Sequence, residues 1–193
     1  TILIDMGTFA ETVVIETNAI SIIGKDSAST IIDPPGSSAT AGLTGIFADS
    51  QTGLQIKTLG VTGAYYGIRF VNVDQSTISG DSAGSCGQYG IFLEQGSESN
   101  TLRSNILNNN VYGVWVATTS QSNYIESNSL SSNSLDGVIL NAVSNNEVRY
   151  NSIDSNSFSG VEFFSGATGN LVHRNTIHGN LQYGLYFNSS STN

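Results

Sequence analysis

Lysine is almost missing from this chain. Two residues, Lys25 and Lys57, and six basic side chains in all stand against 15 acidic ones, for a net charge of −9 over 193 residues. That excludes nucleic acid as a partner, because phosphate contacts need clustered Lys and Arg. An anionic membrane surface is disfavoured on the same ground. No apolar run reaches the ~18 residues that a membrane-spanning helix requires. A single cysteine, Cys86, rules out an internal disulfide and a cysteine-based metal cluster. Only two prolines occur, side by side at Pro34 and Pro35, and charged residues are scarce at 11%. Small polar residues, Ser and Asn above all, and 21 Gly fill the gap. Apolar residues make up 38% and recur throughout, which excludes a long disordered chain. One domain covering 1–193 is the expected organisation.

What is present is repetition. Gly followed by an aliphatic residue, any residue and an apolar one occurs at Gly45-Ile46-Phe47-Ala48, Gly67-Ile68-Arg69-Phe70, Gly90-Ile91-Phe92-Leu93 and Gly113-Val114-Trp115-Val116. It returns at Gly137-Val138-Ile139-Leu140, Gly160-Val161-Glu162-Phe163 and Gly184-Leu185-Tyr186-Phe187. Successive Gly positions differ by 22, 23, 23, 24, 23 and 24. Asn keeps the same beat in three columns: Asn100/Asn123/Asn146/Asn170, Asn105/Asn128/Asn151/Asn175 and Asn110/Asn133/Asn156/Asn180. The columns fade before Asn100.

A period of this length holds two or three short strands with turns, and no helical periodicity is visible. The spacing predicts an all-β fold: a single parallel β-helix of about eight coils, at ~23 residues per coil, each hydrogen-bonded to the next. The Asn columns are expected as structural ladders at corners, where Asn tolerates left-handed backbone. The repeat Gly is expected at a corner that needs positive φ.

The unit of apolar strand, Asn corner and then Tyr-Gly-Ile/Val-x-apolar resembles the right-handed parallel β-helix repeats of the NosD and pectate-lyase-like superfamily. Residues 44–188 carry that pattern. The opening phrase from Ile2 to Ile15, with Ile20-Ser21-Ile22-Ile23-Gly24 and Thr30-Ile31-Ile32-Asp33, looks like first coils of the same superfamily. The resemblance implies a right-handed solenoid on a secreted protein, often one that acts on or adheres to polysaccharide. It fixes no reaction. The Asn-Thr-Asp, Asp-Asp and Gly-His-Gly motifs of polygalacturonases are absent. So are the Asp-Phe-Ile-Phe-Gly pattern of pectin methylesterases and the Asp-Pro-His signature of alginate epimerases. Calcium-dependent pectate lyases need clustered acids, and here the acids are spread along the chain.

Regular repetition places distant residues in columns. Two positions after each repeat Gly stand Phe47, Arg69, Phe92, Trp115, Ile139, Glu162 and Tyr186. One position before it stand Thr44, Tyr66, Tyr89, Tyr112, Asp136, Ser159 and Tyr183. Strand alternation turns the first column outward. Phe47, Phe92, Trp115, Tyr186, Tyr66, Tyr89 and Tyr112 therefore form the candidate ligand or partner surface, fit for sugar rings, for a protein contact, or for packing under a loop. Asp136 and Glu162 fall on adjacent coils beside it and are candidates for an acid/base pair. Ser131, Asp154 and His178 fall on successive rungs, but Asp in the middle is the wrong order for a nucleophilic triad. Arg103, Glu126, Arg149 and His173 alternate in charge, as a structural ladder does. The stretch from Asp81 to Gln88 replaces an Asn corner and reads as a protrusion or an insertion. Asn188-Ser189-Ser190 is the one glycosylation sequon.

The chain opens in the run Ile2-Leu3-Ile4 with no signal peptide and ends on a short polar tail, so missing upstream residues or ends covered by neighbouring copies are expected. No cofactor and no metal site are implied. Scattered Asp and backbone carbonyls leave room for a Ca²⁺ ion without a motif that points to one. These readings favour an extracellular or cell-surface protein with a structural or adhesive role, self-associating or bound to another surface protein. The alternative is a polysaccharide-acting enzyme (lyase, hydrolase or epimerase) or a carbohydrate-binding module.

Overall fold

The structure, a computed structural model, describes residues 1–189 and 193. The first of its sheets has eight strands. It runs from Ile2–Ile4 through Ser21–Gly24, Gln55–Lys57, Thr77–Ser79, Thr101–Arg103, Tyr124–Glu126 and Glu147–Arg149 to Leu171–His173. The second also has eight: Val13–Ile15, Thr44–Asp49, Tyr66–Val71, Tyr89–Glu94, Tyr112–Ala117, Val138–Asn141, Ser159–Phe164 and Tyr183–Phe187. The third face is divided. Four strands end at Ser82–Ala83, three begin at Ser129–Ser131, and Ile106 alone bridges to Ser82 and to Ser129. The strands pair in parallel with the register that the period demands, as in Phe92↔Trp115↔Ile139↔Glu162. The result is a right-handed parallel β-helix of about eight turns, as the repeat predicts.

Alternation along each strand sends one side chain in and the next out. Inward residues stack into columns: Ile46, Ile68, Ile91, Val114, Val138 and Val161 on the second sheet, and Ile56, Ile78, Leu102, Ile125 and Val148 on the first, all buried. Burial of each such side chain contributes about 1.5–3 kcal/mol.

Corners are closed by the Asn ladders. In each, the backbone N–H of one rung donates to Oδ1 of the next rung's Asn at 2.8–3.1 Å, as in Asn105→Asn128→Asn151→Asn175. The Asn Nδ2 then donates to a carbonyl of the coil before, for example Asn128 to Leu102. The columns do not stop at Asn100. Ser76, Asp81 and Cys86 occupy the same three slots one coil earlier, and their N–H groups donate to Asn100, Asn105 and Asn110.

Three expectations are corrected. The ladder Asn residues do not take left-handed backbone; the residue before each one does, as at Ser99, Ser104, Asn109, Ser122, Ser127 and Ser132. The repeat Gly residues do not have positive φ either. A Cβ at Gly67 or Gly113 would stand 2.5 or 2.6 Å from the carbonyl oxygen of the next repeat Gly, so close approach between coils is what excludes a side chain. The stretch from Asp81 to Gln88 is no protrusion: it is an ordinary coil segment, with Ser82–Ala83 paired to Gly60–Val61.

Candidate functional site

The candidate surface lies on the outer face of the second sheet and the corner that precedes it. The two predicted columns form in register. Their rings are largely spent on one another. Tyr66 and Tyr89 stack at 5.2 Å and 8°, Tyr89 and Phe92 at 4.8 Å and 13°, Tyr89 and Tyr112 at 5.5 Å and 19°. Alternation predicts a wet face, yet Phe92 is only 9% exposed, because flat rings one rung apart cover each other. Trp115 is turned across the stack, at 86° to Tyr112 and to Phe92. At the top of the column the Arg69 guanidinium lies 4.7 Å from the Tyr66 ring and 5.7 Å from that of Phe47, and its Nε donates to Glu94 at 2.7 Å. A second small stack, Tyr183 on Tyr186 at 4.6 Å, stands further along, with Phe158 edge-on to both.

Between the two stacks the aromatic columns break. Two successive rungs carry Asp136 with Ile139, then Ser159 with Glu162. Asp136 Oδ1 accepts from the Ser159 backbone N–H at 2.9 Å and from the Ser159 hydroxyl. Glu162 Oε1 accepts from Asn188 Nδ2 at 3.0 Å. Asp136 is 2% exposed and Glu162 7%. Burial raises the Asp136 carboxyl to about 6, the Ser159 hydroxyl opposes this, and the charge of Glu162 raises it further. The Tyr112 hydroxyl is raised by burial and then by the Asp136 and Glu162 charges, which ties all three groups to one niche. Solvent barely touches either acid, so a ligand reaches them only when neighbouring side chains move aside. Ser159 and Phe158 were readable from the Gly spacing but carry no chemical signature of their own.

The other candidates are dispersed. Ser131, Asp154 and His178 are in register on the third face, and no hydrogen bond joins Asp154 to His178 among the described residues. The ladder of charges on the first sheet forms in part: Arg149 pairs with Glu126 as expected, but His173 meets Glu147, which lies outside the column, and Arg103 has no ion pair among the described residues. Arg149 donates to Glu126 at 2.7 Å and to Glu147 at 2.6 Å, and Glu147 also meets His173 at 2.9 Å. Cys86 is buried, and burial pushes its thiol up to about 12. Of the sequon, Ser190 lies outside the described residues. A separate cleft of about 390 Å³ opens on the third face beside Ile31, Gly60, Val61, Ser82, Ile106 and Asn108. No helix among the described residues is long and apolar enough to cross a membrane.

The fold is that of a right-handed parallel β-helix with in-register side-chain columns on its outer face. The chain belongs to the NosD family: the family model, described as periplasmic copper-binding protein (NosD), matches residues 8–193. Among solved structures it is similar to an alginate lyase from Paenibacillus sp. str. FPU-7. That likeness has a TM-score of 0.58 and 14% identity, and covers 99% of this chain and 91% of that one. It is also similar to a double mutant of the periplasmic alginate epimerase AlgG, with a TM-score of 0.65 and 17% identity, over 93% of this chain and 47% of the other. A third is the Dettilon tailspike protein, at TM-score 0.54 and 15% identity, over 96% of this chain and 61% of that one. At such identities the likeness is one of fold, and the chain spans about half the length of the epimerase. No curated protein matches the sequence.

The family's description names copper, which favours His, Cys and Met donors. Here Cys86 is buried as a thiol. His173 and His178 lie on different faces of the solenoid, and Met6 lies in the first coil at the far end. Among the described residues no three His, Cys, Asp or Glu side chains converge on a point. The donor set does not fit a copper ion.

Proposed function

We propose that the chain binds a polysaccharide along its second sheet and carries out acid/base chemistry on it with Asp136 and Glu162. The observation that carries this reading is the break in the aromatic columns, where two carboxylates lie between Tyr112 with Trp115 and Tyr183 with Tyr186. Aromatic rings hold the apolar faces of sugars. Trp115, set across its neighbours, is the ring best placed to do so. With a carboxyl at about 6, Asp136 keeps its proton in mildly acidic solution. It gives that proton to a glycosidic oxygen as the C–O bond breaks. Glu162 takes a proton from the water that bonds to the anomeric carbon. Ser159 and Asn188 hold the two carboxylates in place.

The named activities of the structural neighbours, an alginate lyase and an alginate epimerase, favour a polysaccharide partner over a purely structural or adhesive role. The family's description as periplasmic supports a location outside the cytoplasm. The test is a panel of polysaccharides scored for binding and for released reducing ends. Turnover is expected to fall at least ~100-fold in Asp136→Asn and in Glu162→Gln, in line with the contribution of a general acid or base. Trp115→Ala is expected to weaken binding. A panel on which the protein neither binds nor turns over any glycan overturns the reading.

A further inference from the structure

The geometry points to an uncharged saccharide as the ligand of this surface, an inference that rests on the proposed polysaccharide reading and narrows it. Charge on the solenoid is partitioned between faces. Lys57, Arg103 and Arg149 lie within strands of the first sheet, and Lys25 and Arg174 directly follow two of its strands. Among the described residues the second sheet has one basic group, Arg69, already paired with Glu94. Arg69 stands four rungs from Glu162, roughly 19 Å at ~4.8 Å per rung.

The niche between the aromatic stacks therefore holds two acids and no cation. A uronate chain laid there would bring its carboxylates against Glu162 and, above about pH 6, against an ionised Asp136 as well, in a chain of net charge −9. Like charges at close range in a poorly solvated site repel strongly. Elimination or epimerisation of a uronate further requires a cationic or polar group that stabilises the charge developing on the sugar carboxylate, and such catalysis depends on preorganised donors at that point. Of the hydrogen-bond donors here, Ser159 and Asn188 already serve Asp136 and Glu162, which leaves the neutral Tyr112 hydroxyl beside them and no cationic donor among the described residues. Neutral sugars incur no such repulsion. They offer hydroxyls to the two carboxylates and C–H faces to Trp115 and Tyr186.

The experiment is calorimetric titration of the intact chain at ~10 mM salt, where screening extends only beyond about 30 Å. The probes are neutral glucan, xylan and mannan oligosaccharides and size-matched mannuronate, guluronate and galacturonate oligosaccharides. The inference expects at least one neutral series to bind, at least tenfold more weakly in Trp115→Ala. It expects uronates to bind at least tenfold more weakly than that series and to gain affinity as salt rises. A uronate that binds more tightly than every neutral probe, loses affinity with salt and depends on Trp115 overturns the inference and leaves the polysaccharide reading standing. If no saccharide of either kind binds, or Trp115→Ala changes nothing, both fall together. Circular dichroism of Trp115→Ala, with unchanged β signal, separates lost binding from lost fold.

Discussion

The two halves of the solenoid close their corners with different chemistry. From Asn100 onward each rung holds three Asn side chains. Each of these accepts one backbone N–H and, Asn133 excepted, donates to a carbonyl of the coil before, as Asn123 does with Asn100 and Ser97. One coil earlier the same slots hold Ser76, Asp81 and Cys86. Ser76 and Asp81 still accept, from Leu54 at 2.9 Å and Leu59 at 2.7 Å. Neither reaches across to the carbonyl that an Asn amide would serve. What a corner requires is an acceptor for one buried N–H. Asn adds a donor and so holds the coil before by two bonds where Ser76 or Asp81 holds it by one, and Asn123 also donates to Asn146 Oδ1 of the next coil. The second half is in this sense a continuous polar network and the first half a set of separate bonds.

The largest expected effect is on the regular half. Asn128→Ala removes the acceptor of the Asn105 N–H, the donor to the Leu102 carbonyl and the bond to Asn151 Oδ1. All lie in buried surroundings. At roughly 1–3 kcal/mol for each buried group left unpaired, the loss should be about 3–5 kcal/mol. Chemical denaturation of the two proteins measures it. A loss below about 1 kcal/mol would mean that the ladders are incidental to stability.

Asp81 sharpens the comparison because it places an acid in an amide's slot. In the equivalent slots the Asn Nδ2 donates to the carbonyls of Ile78, Leu102, Ile125 and Val148. The carbonyl in that register for Asp81 is Ile56. Asp81 Oδ2 is buried and has no hydrogen-bond partner among the described residues. An ionised acid in that slot has no proton to offer such a carbonyl, and burial raises its carboxyl to about 7, against opposing bonds from the Leu59 and Ser79 backbone. In the unfolded chain the group titrates near 3.8. The folded state therefore holds its proton between about pH 4 and 7 while the unfolded state releases it. Stability from this group is full below the unfolded pKa and falls by roughly 1.4 kcal/mol per pH unit until the folded pKa is passed. Asp81→Asn should abolish that part of the pH dependence and stabilise the protein by about 2–4 kcal/mol at pH 8. Denaturation midpoints of both proteins at pH 4, 6 and 8 check it. Parallel pH profiles would show that Asp81 titrates normally.

The fold was legible because the Gly repeat and the Asn columns share one period, and a period survives any error about individual residues. The roles of those residues were less legible. Gly marks a close approach of one coil's backbone to the carbonyl of the next repeat Gly, which only coordinates reveal, and left-handed backbone falls on the residue before each ladder Asn, whose type varies from Ser and Asn to Tyr and Arg. Ser76, Asp81 and Cys86 were invisible as ladder members because a slot that needs one acceptor tolerates several residue types. Of the candidate site, the two columns followed from counting alone. That the rings stack on each other, and that Asp136 and Glu162 are nearly sealed from water, depends on side-chain packing that spacing does not encode.

The smallest effect tests whether the first half is as loosely joined as its bonds imply. Ser76→Ala takes the acceptor from the Leu54 N–H and the short tie from the Ser76 hydroxyl to the Asp74 carbonyl. It leaves the Ser76 N–H bonded to Asn100. One buried N–H is orphaned rather than an N–H and a carbonyl together, so the expected loss is about 1–2 kcal/mol. Measured in the same denaturant series as Asn128→Ala, the ratio of the two losses matters more than either value. A ratio near two or three follows from the count of groups left unpaired at each corner. Equal losses would mean that the extra donor of Asn contributes nothing. The Asn columns would then reflect only the shape that an amide fits, and the distinction between a network and separate bonds would fail.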